Sequence, residues 1–379
     1  MKYIRNGRIV MPNEILTGMA LCYDGEIKGV VAEDEIPEGA DVIDAEGGYA
    51  APGLVDIHIH GYLGEDASDG KADGVRKMAR GVMANGVTSF LPTTMTVPKE
   101  EILAAYEIVR KLMPESKSWD GAEILGVNSE GPFINPSKKG AQAEENILEP
   151  DAEMILENAD VVRITTIAPE MDKNGAIEKI AADGRVTVSI GHTGANFEQA
   201  NEGFKKGISH VTHLFNAQTP LMHRDPGVVG AALMNDGVTC ELIADTFHVN
   251  KALFELVAKL KGDNLVLITD CVRAGGMPDG EYTLGGQPIF LKGIECRLAD
   301  GTIAGSVLRL NQAVKNLRDN TSLPFYKAVA CASLNPARVI HMDDKKGSLL
   351  PGRDADIIIT DDDFNIKKTI IGGVVKYEA

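Results

Sequence analysis

Eight short apolar runs recur along the middle of the chain, and helical patterns lie between several of them. Each run has the length of a strand, several are rich in β-branched residues, and most end in polar or glycine residues. Eight strands with helical crossovers over about 220 residues predict a parallel (β/α)8 barrel, with a doubly wound open sheet as the competing fold. The predicted strands are Leu54–His60, Thr88–Thr94, Ile124–Glu130, Val162–Ala168, Val186–His192, His210–Phe215, Cys240–Asp245 and Leu265–Asp270. The clearest predicted helices are Lys99–Leu112, Asn174–Ala182 and Lys251–Leu260.

The two ends of the chain follow a different pattern, that of short strands and tight turns. Near the start, the dipeptides Asn6-Gly7 and Asp24-Gly25 stand between apolar runs, which is a signal for β-hairpins. The segment from Gly347 onwards has the same pattern, so we expect the two ends to pair into one small β-sandwich. The predicted division is 1–50 with 346–379 for the sandwich and 51–345 for a metal-dependent catalytic barrel.

Composition limits the class of protein. The 379 residues are 44% hydrophobic and 25% charged, which is typical of a globular chain. The formal net charge of -17 argues against binding to nucleic acid or to an anionic membrane, because both need a basic surface. The five cysteines are scattered without a Cys-x-x-Cys motif, and neither a signal peptide nor a membrane-spanning run is recognisable. A reduced, cytoplasmic protein is therefore expected.

His58 and His60 stand one residue apart at the end of the first predicted barrel strand. Because side chains alternate between the faces of a strand, both imidazoles point the same way and can reach one metal ion. Gly61 and Gly64 follow, and their conformational freedom favours a loop after the strand. A satisfied polar pair at a strand end is the alternative interpretation, and the residues that follow favour the metal.

The carboxyl ends of barrel strands build the functional site of such a fold, and this chain concentrates ionisable residues there. Five of its eight histidines fall at or just past predicted strand ends. Each residue alone also has a structural interpretation, such as a helix cap or a histidine that holds a backbone carbonyl. Together they indicate a metal centre. The set is His58, His60, Glu130, His192, His213, His248 and Asp270.

The types of residue in this set suggest hydrolytic chemistry. The best ligand set for one ion is Glu130, His192 and His213, and His58 with His60 suits a second ion that shares Glu130. Two imidazoles and a carboxylate suit Zn²⁺ or Fe²⁺ and leave a position open for a water molecule, whose pKa the metal lowers. Asp270 beside that water can take its proton and pass it to a leaving group, which describes hydrolysis at a carbonyl or a similar centre.

His210, His223 and His341 lie outside the set. Arg224 follows His223 in the loop LMHRDPG, and we favour it as an anion contact because a guanidinium suits phosphate geometry. A solvated loop is the alternative. His210 at the start of a strand and His341 in a late helix are interpreted as structural.

With these residues in place, the chain resembles the N-acetylglucosamine-6-phosphate deacetylases of the amidohydrolase superfamily over nearly its whole length. The motifs are PGLVDIHIHG, EGPFINPSKKGAQ, GHTGAN, THLFNAQTPLMHRDPGVVGAAL, IADTFHVN, LITDCVRAGGMPDGEYTLGGQ and AGS at Ala304–Ser306. The resemblance implies a (β/α)8 barrel with a flanking β-sandwich. It also implies hydrolysis of the acetamido group of N-acetylglucosamine 6-phosphate to glucosamine 6-phosphate and acetate.

The resemblance also implies roles for single residues. Glu130, His192 and His213 match the main metal ligands, and Asp270 matches the catalytic base and acid. The implied sugar-phosphate contacts are Asn216, Ala217, Arg224 and His248, of which the last two reach the phosphate across the interface of a homodimer. Some members lack the first histidine pair and use one metal. This chain keeps the pair, so one or two divalent ions, Zn or Fe, are expected in each subunit.

Gln142 stands where members of the family carry either histidine or glutamine near the substrate carbonyl. Its amide can donate a hydrogen bond to the carbonyl oxygen but carries no charge, so oxyanion stabilisation would depend more on the metal.

Two alternatives to the sugar-phosphate deacetylase stay open. One is an amidohydrolase that acts on another acylamino sugar, a cyclic amide or an aminated base. An enzyme for a cyclic amide or an aminated base would not need the set of Asn216, Arg224 and His248. The other is a non-catalytic sugar-phosphate sensor on the same barrel, which would have no need of Asp270 as a proton shuttle.

Overall fold

The first seven strands divide between two sheets in the computed structural model, which describes residues 1–379. They are β1 (Lys2–Arg5), β2 (Arg8–Val10), β3 (Ile15–Leu16), β4 (Met19–Tyr23), β5 (Ile27–Ala32), β6 (Asp41–Asp44) and β7 (Tyr49–Pro52). Asp24-Gly25 forms a hairpin, since β4 and β5 pair antiparallel around it. The hairpin signal at Asn6-Gly7 was wrong, because β1 pairs with β4 and β6 whereas β2 pairs with β3 and β7.

The turn at Asn6 instead carries the chain from one sheet to the other. Asn6 has a φ of 51°, and the strands on either side of it send Ile4 and Ile9 into the same buried cluster. Two sheets that face each other bury both side chains, whereas a flat hairpin would leave one face of the pair in water.

The central segment alternates strands with helices. In chain order it contains β8 (Leu54–Ile59), β9 (Gly61–Tyr62), β10 (Glu65–Asp66), α1 (Ala72–Val82), β11 (Val87–Thr94), α2 (Lys99–Ser116), β12 (Glu123–Ile124), β13 (Val127–Glu130), α3 (Ala152–Leu156), β14 (Val162–Ile167), α4 (Ala176–Asp183), β15 (Thr187–Ile190), α5 (Phe197–Lys205), β16 (His210–Val211), α6 (Gly227–Leu233), β17 (Thr239–Ile243), α7 (Phe254–Lys261) and β18 (Leu265–Ile268).

Eight of these strands form a parallel barrel in the order β8-β11-β13-β14-β15-β16-β17-β18. The chain just after β18 closes the barrel, because the backbone N–H of Asp270 donates to the carbonyl of His58 at 2.8 Å and that of His60 donates to Cys271 at 2.9 Å. The predicted barrel is therefore confirmed over the doubly wound open sheet. The sixth predicted strand is shorter than expected and ends at Val211.

The helices form where apolar residues recur at helical spacing. In α2, Ile102, Tyr106 and Val109 are buried on one face, and Glu100 and Glu101 lie in the first turn, where negative charge suits the helix dipole. The predicted helices correspond to α2, to α4, and to α7 with a 3-10 turn before it. No helix combines the length and the apolar composition needed to cross a lipid bilayer.

The last part of the chain adds a small antiparallel sheet, three helices and three strands of the sandwich. These are β19 (Gly280–Leu284), β20 (Gln287–Lys292), β21 (Glu295–Leu298), α8 (Leu310–Asn320), α9 (Phe325–Ala330), α10 (Leu334–Val339), β22 (Ile357–Thr360), β23 (Ile366–Ile371) and β24 (Val374–Glu378). His341 lies just past α10 at a φ of 56° and is exposed, so its predicted place in the helix was wrong.

The two ends of the chain join in one sandwich, as predicted. β22 pairs antiparallel with β7, and this pairing unites both ends in a six-stranded sheet of order β24-β23-β22-β7-β2-β3. The four-stranded sheet β5-β4-β1-β6 shares with it a cluster of 12 buried apolar residues, separate from the 84-residue core of the barrel. The boundaries near residues 50 and 345 stay predictions.

Lys346 joins the sandwich to the barrel. Its ammonium lies 2.5 Å from Glu123 of β12 and 2.9 Å from both Asp354 and Asp356, and its side chain is only 3% exposed. Burial opposes the charge, yet the carboxylates raise the pKa of Lys346 well above its ordinary value. Although these three carboxylates lie close enough to hold a cation, the ammonium of Lys346 already contacts all three.

Candidate metal centre and substrate cavity

Glu130, His192 and His213 meet at the carboxyl ends of three barrel strands and are all buried. Glu130 Oε1 lies 3.1 Å from His192 Nε2 and 2.8 Å from His213 Nε2, and the two nitrogens are 3.1 Å apart. His192 Nδ1–H donates to the carbonyl of Lys138 at 2.8 Å, so its Nε2 carries a lone pair towards the others. The convergence of nitrogen and oxygen lone pairs at this distance suits a divalent cation.

His58, His60 and Asp270 form a second buried group beside the first. The Nε2 atoms of the two histidines are 3.3 Å apart, and Asp270 Oδ1 lies 3.5 Å from His58 Nε2 and 3.2 Å from His60 Nε2. His60 Nδ1–H donates to the carbonyl of Thr93 at 3.2 Å, and His58 Nδ1–H donates to Glu241 at 2.9 Å. Both protons are therefore committed away from the centre, which leaves both Nε2 atoms free for a metal.

Glu130 lies between the two groups. Its Oε2 is 3.3 Å from His60 Nε2, and its Oε1 is 3.5 Å from His58 Nε2, so a shared role is geometrically accessible. Gln142 orients this carboxylate, because its amide donates to Glu130 Oε2 at 2.7 Å and accepts the backbone N–H of Thr96 at 2.6 Å. The expected hydrogen bond from Gln142 to a substrate carbonyl stays a prediction.

The electrostatics of the centre favour positive charge. Burial opposes protonation of His58, but Glu241, Glu130 and other carboxylates raise its pKa to about 9. Burial also opposes the charge of Glu130, whose pKa is nevertheless held well below its usual range by His192 and His58. A bound cation would supply this positive charge while the imidazoles stay neutral.

Several residues of the centre have a left-handed backbone that side chains other than glycine rarely adopt. They are His192 (φ 46°), His213 (φ 27°), Ala217 (φ 51°) and Asp270 (φ 50°). Each such residue costs about 1–3 kcal/mol, and such residues cluster at functional sites. Here the strain turns the chain sharply at the end of a strand, which explains why the sixth strand stops before His213.

A cavity of about 380 Å³ opens over both groups. The predicted residues Gln142, Asn216, Ala217 and His248 line it together with ligands of both groups. His248 thus lies in the cavity of its own chain, whereas the resemblance implied a contact across a subunit interface. Arg224 does not line this cavity and is exposed in the loop before α6. The structure thus brings all predicted site residues together in one chain except Arg224.

Other residues of the site were missed from the sequence. Leu284, Thr302 and Ile303, in and just after the small sheet β19–β21, form part of the cavity wall, and so does Lys138. Glu241 is completely buried beneath the centre and touches His58 and His210. A single acid inside the apolar run of β17 was a signal that would have drawn attention to it.

The sequence model of the amidohydrolase family matches residues 49–376. The chain belongs to the amidohydrolase family. It is 36% identical to the N-acetylglucosamine-6-phosphate deacetylase of Bacillus subtilis, over 99% of this chain and 96% of that protein. It is also 36% identical to the N-acetylgalactosamine-6-phosphate deacetylase of Escherichia coli, over 91% of this chain and 92% of that protein.

A solved structure agrees with the fold of this amidohydrolase. The crystal structure of N-acetylglucosamine-6-phosphate deacetylase from Pasteurella multocida superposes with a TM-score of 0.95 at 30% identity, over 100% of both chains. The resemblance deduced from the sequence motifs is confirmed, and so is the combination of barrel and sandwich.

Proposed function

We propose that this amidohydrolase removes the acetyl group of N-acetylglucosamine 6-phosphate and releases acetate and glucosamine 6-phosphate. The observation that carries the proposal is the position of Asp270. Its carboxylate lies within 3.5 Å of both histidines of the first pair and faces a cavity of about 380 Å³. The full-length relatives with deacetylase names support the choice of a sugar phosphate.

The ligands on the two sides of the centre fit one or two divalent ions. Glu130, His192 and His213 would hold the main ion, and His58 with His60 would hold a second ion that shares Glu130. Imidazole nitrogen and carboxylate oxygen suit Zn²⁺ or Fe²⁺. When bound, such an ion supplies Lewis acidity that polarises the acetyl carbonyl and makes a water molecule acidic.

Asp270 moves the proton. Its Oδ1 accepts a proton from the attacking water, and the same oxygen then delivers it to the amide nitrogen as the C–N bond breaks. The side chain is about one tenth exposed, so little bulk water competes for this proton. The hydrogen bonds of Gln142 hold Glu130 in place while the substrate is bound.

The remaining predicted residues hold the sugar phosphate. Asn216 and Ala217 line the cavity and would contact the substrate there. His248 is fixed by the hydrogen bond of its Nδ1–H to Asp245 at 2.6 Å, which leaves Nε2 for a phosphate oxygen. Because Arg224 is exposed outside its own cavity, it would reach the phosphate of a second subunit in a cytoplasmic homodimer.

The test is the release of acetate from N-acetylglucosamine 6-phosphate by the purified chain. Turnover should disappear on chelation and return when Zn²⁺ or Fe²⁺ is restored. Unphosphorylated N-acetylglucosamine serves as the control for the phosphate. Metal-loaded protein that binds the sugar phosphate without releasing acetate would reject catalysis and favour the sensor.

N-acetylgalactosamine 6-phosphate is a second candidate substrate, because the relative named for it is as similar in identity as the one named for the glucosamine epimer. The ratio of kcat/KM for the two sugars decides between them. We expect the glucosamine epimer to have the higher value, and a preference for the galactosamine epimer would reassign the substrate.

A further inference from the structure

Glu241 is a charged residue in the middle of the buried strand β17, and its side chain is inaccessible to water. Three donors surround its carboxylate. His58 Nδ1–H and the backbone N–H of His213 both donate to Oε2 at 2.9 Å, and His210 Nε2–H donates to Oε1 at 3.0 Å. Glu241 thus contacts one residue of each candidate ligand group through the same oxygen.

Stability of the barrel does not explain this carboxylate. Removing a carboxylate from water is costly, and well-packed apolar residues of similar volume are often as stable as a buried ion pair. The neighbouring residues of β17, Cys240 and Leu242, are buried and apolar and carry no such cost. The contacts with His58 and His213 therefore point to a role in the metal centre.

Geometry indicates what Glu241 does there. By accepting the hydrogen bond of His58 Nδ1–H, Glu241 fixes the single proton of the neutral ring on Nδ1. His58 Nε2 is then free of a proton and directed at His60 and Asp270. By accepting the backbone N–H of His213, Glu241 holds the turn at φ 27° that directs His213 Nε2 at Glu130. One oxygen atom thus fixes a nitrogen in each group.

We propose that Glu241 is a positioning residue that couples the two metal-ligand groups, so that both are held ready for metal together. This inference rests on the metal dependence in the proposed function. It leads to a specific expectation. Loss of the acceptor oxygen weakens the binding of both ions, whereas loss of a contact that served only His58 would weaken the binding of one.

The test is the titration of metal-free protein with Zn²⁺ alone, followed by isothermal calorimetry. Glu241→Met removes the acceptor and keeps a similar volume, and loss of such partners typically weakens metal binding about 10-fold to 100-fold. Glu241→Gln should restore affinity to within a few-fold. Its amide oxygen can replace Oε2 for both donors, and its NH2 group can donate to His210 if that ring carries its proton on Nδ1, which lies 2.6 Å from Thr239 Oγ1.

His210→Gln is the matched control, because His210 contacts the same carboxylate but belongs to neither ligand group. It should bind Zn²⁺ as the unaltered chain does. Unchanged affinity in Glu241→Met would overturn the proposal, and so would equal losses in Glu241→Met and His210→Gln. A loss confined to one ion would reject the coupling.

A second measurement covers the case in which Glu241→Met does not fold. Nitrogen-15 NMR of the eight histidines in the metal-free protein reports which ring nitrogen of His58 carries the proton, with His58→Gln for assignment. The spectra are recorded at a pH above the His58 pKa of about 9, where the ring is neutral and holds a single proton. Protonation at Nδ1 is expected, and a ring protonated at Nε2 alone would refute the proposed orientation. Neither readout uses acetate release, so a failure of this proposal is distinguishable from a failure of the deacetylase assignment.

Discussion

Replacing Lys346 with methionine should lower the free energy of unfolding by about 3–5 kcal/mol, the usual cost of removing one partner of a buried ion pair. Methionine keeps most of the aliphatic packing and removes the ammonium that pairs with three carboxylates. Asp354 is 32% exposed and can turn towards water. Glu123 and Asp356 are 13% and 4% exposed and would be left close together without a counter-charge.

Urea unfolding measures this loss. The single tryptophan, Trp119, precedes Glu123 by four residues and provides a fluorescence signal near the cluster. Lys345→Met is the matched control, because Lys345 is 48% exposed and lies 3.9 Å from Glu26, a pair worth about 0–1 kcal/mol. If Lys346→Met is within about 1 kcal/mol of this control, the reasoning from buried charge is refuted.

The sign of the pH dependence follows from the pKa of Lys346. The carboxylates outweigh burial and raise this pKa above the ordinary value of 10.5 in the folded chain. The stabilisation is therefore complete below the pKa of the unfolded chain and is lost only as pH rises towards the higher folded value. The difference between Lys346→Met and the unaltered chain should stay constant between about pH 7 and pH 9.

Two further predictions concern the catalytic centre. Asp270→Asn should lower kcat by about 10²–10⁴-fold with the metal still bound, as measured by acetate release and metal analysis, because an amide cannot accept the proton. Substantial residual turnover would reject the role of Asp270. Arg224→Ala should raise KM for N-acetylglucosamine 6-phosphate about 10-fold or more, but leave KM for the unphosphorylated sugar nearly unchanged, because only the phosphate makes charge-assisted hydrogen bonds. Equal effects on both sugars would contradict the phosphate contact.

The sequence was enough to predict that the candidate ligands meet at one place, because this follows from the regular geometry of strands. Strand side chains repeat every two residues, which places His58 and His60 on one face. Parallel strands end at the same edge of a barrel, which brings Glu130 and His192 to them. No detail of side-chain packing was needed for these inferences.

The features that were missed depend on tertiary contacts. The local hairpin signal at Asn6-Gly7 could not reveal that β1 and β2 belong to different sheets. The left-handed backbone of His213 is imposed by contacts such as that with Glu241, which lies 28 residues further along the chain. The phosphate contact of Arg224 stays a proposal, because this side chain lies outside the cavity of its own chain.

The pairing of β7 with β22 has a consequence for synthesis on the ribosome. Ala51 in β7 lies opposite Ile358 in β22, so about 300 residues must be translated before the partner exists. At typical translation rates of roughly 5–20 residues per second, the edge of β7 that pairs with β22 stays unpaired for about 15–60 s. An unpaired edge of this kind favours aggregation. The nascent chain should therefore depend on chaperones until its last strands emerge, even though the barrel between them can begin to fold earlier.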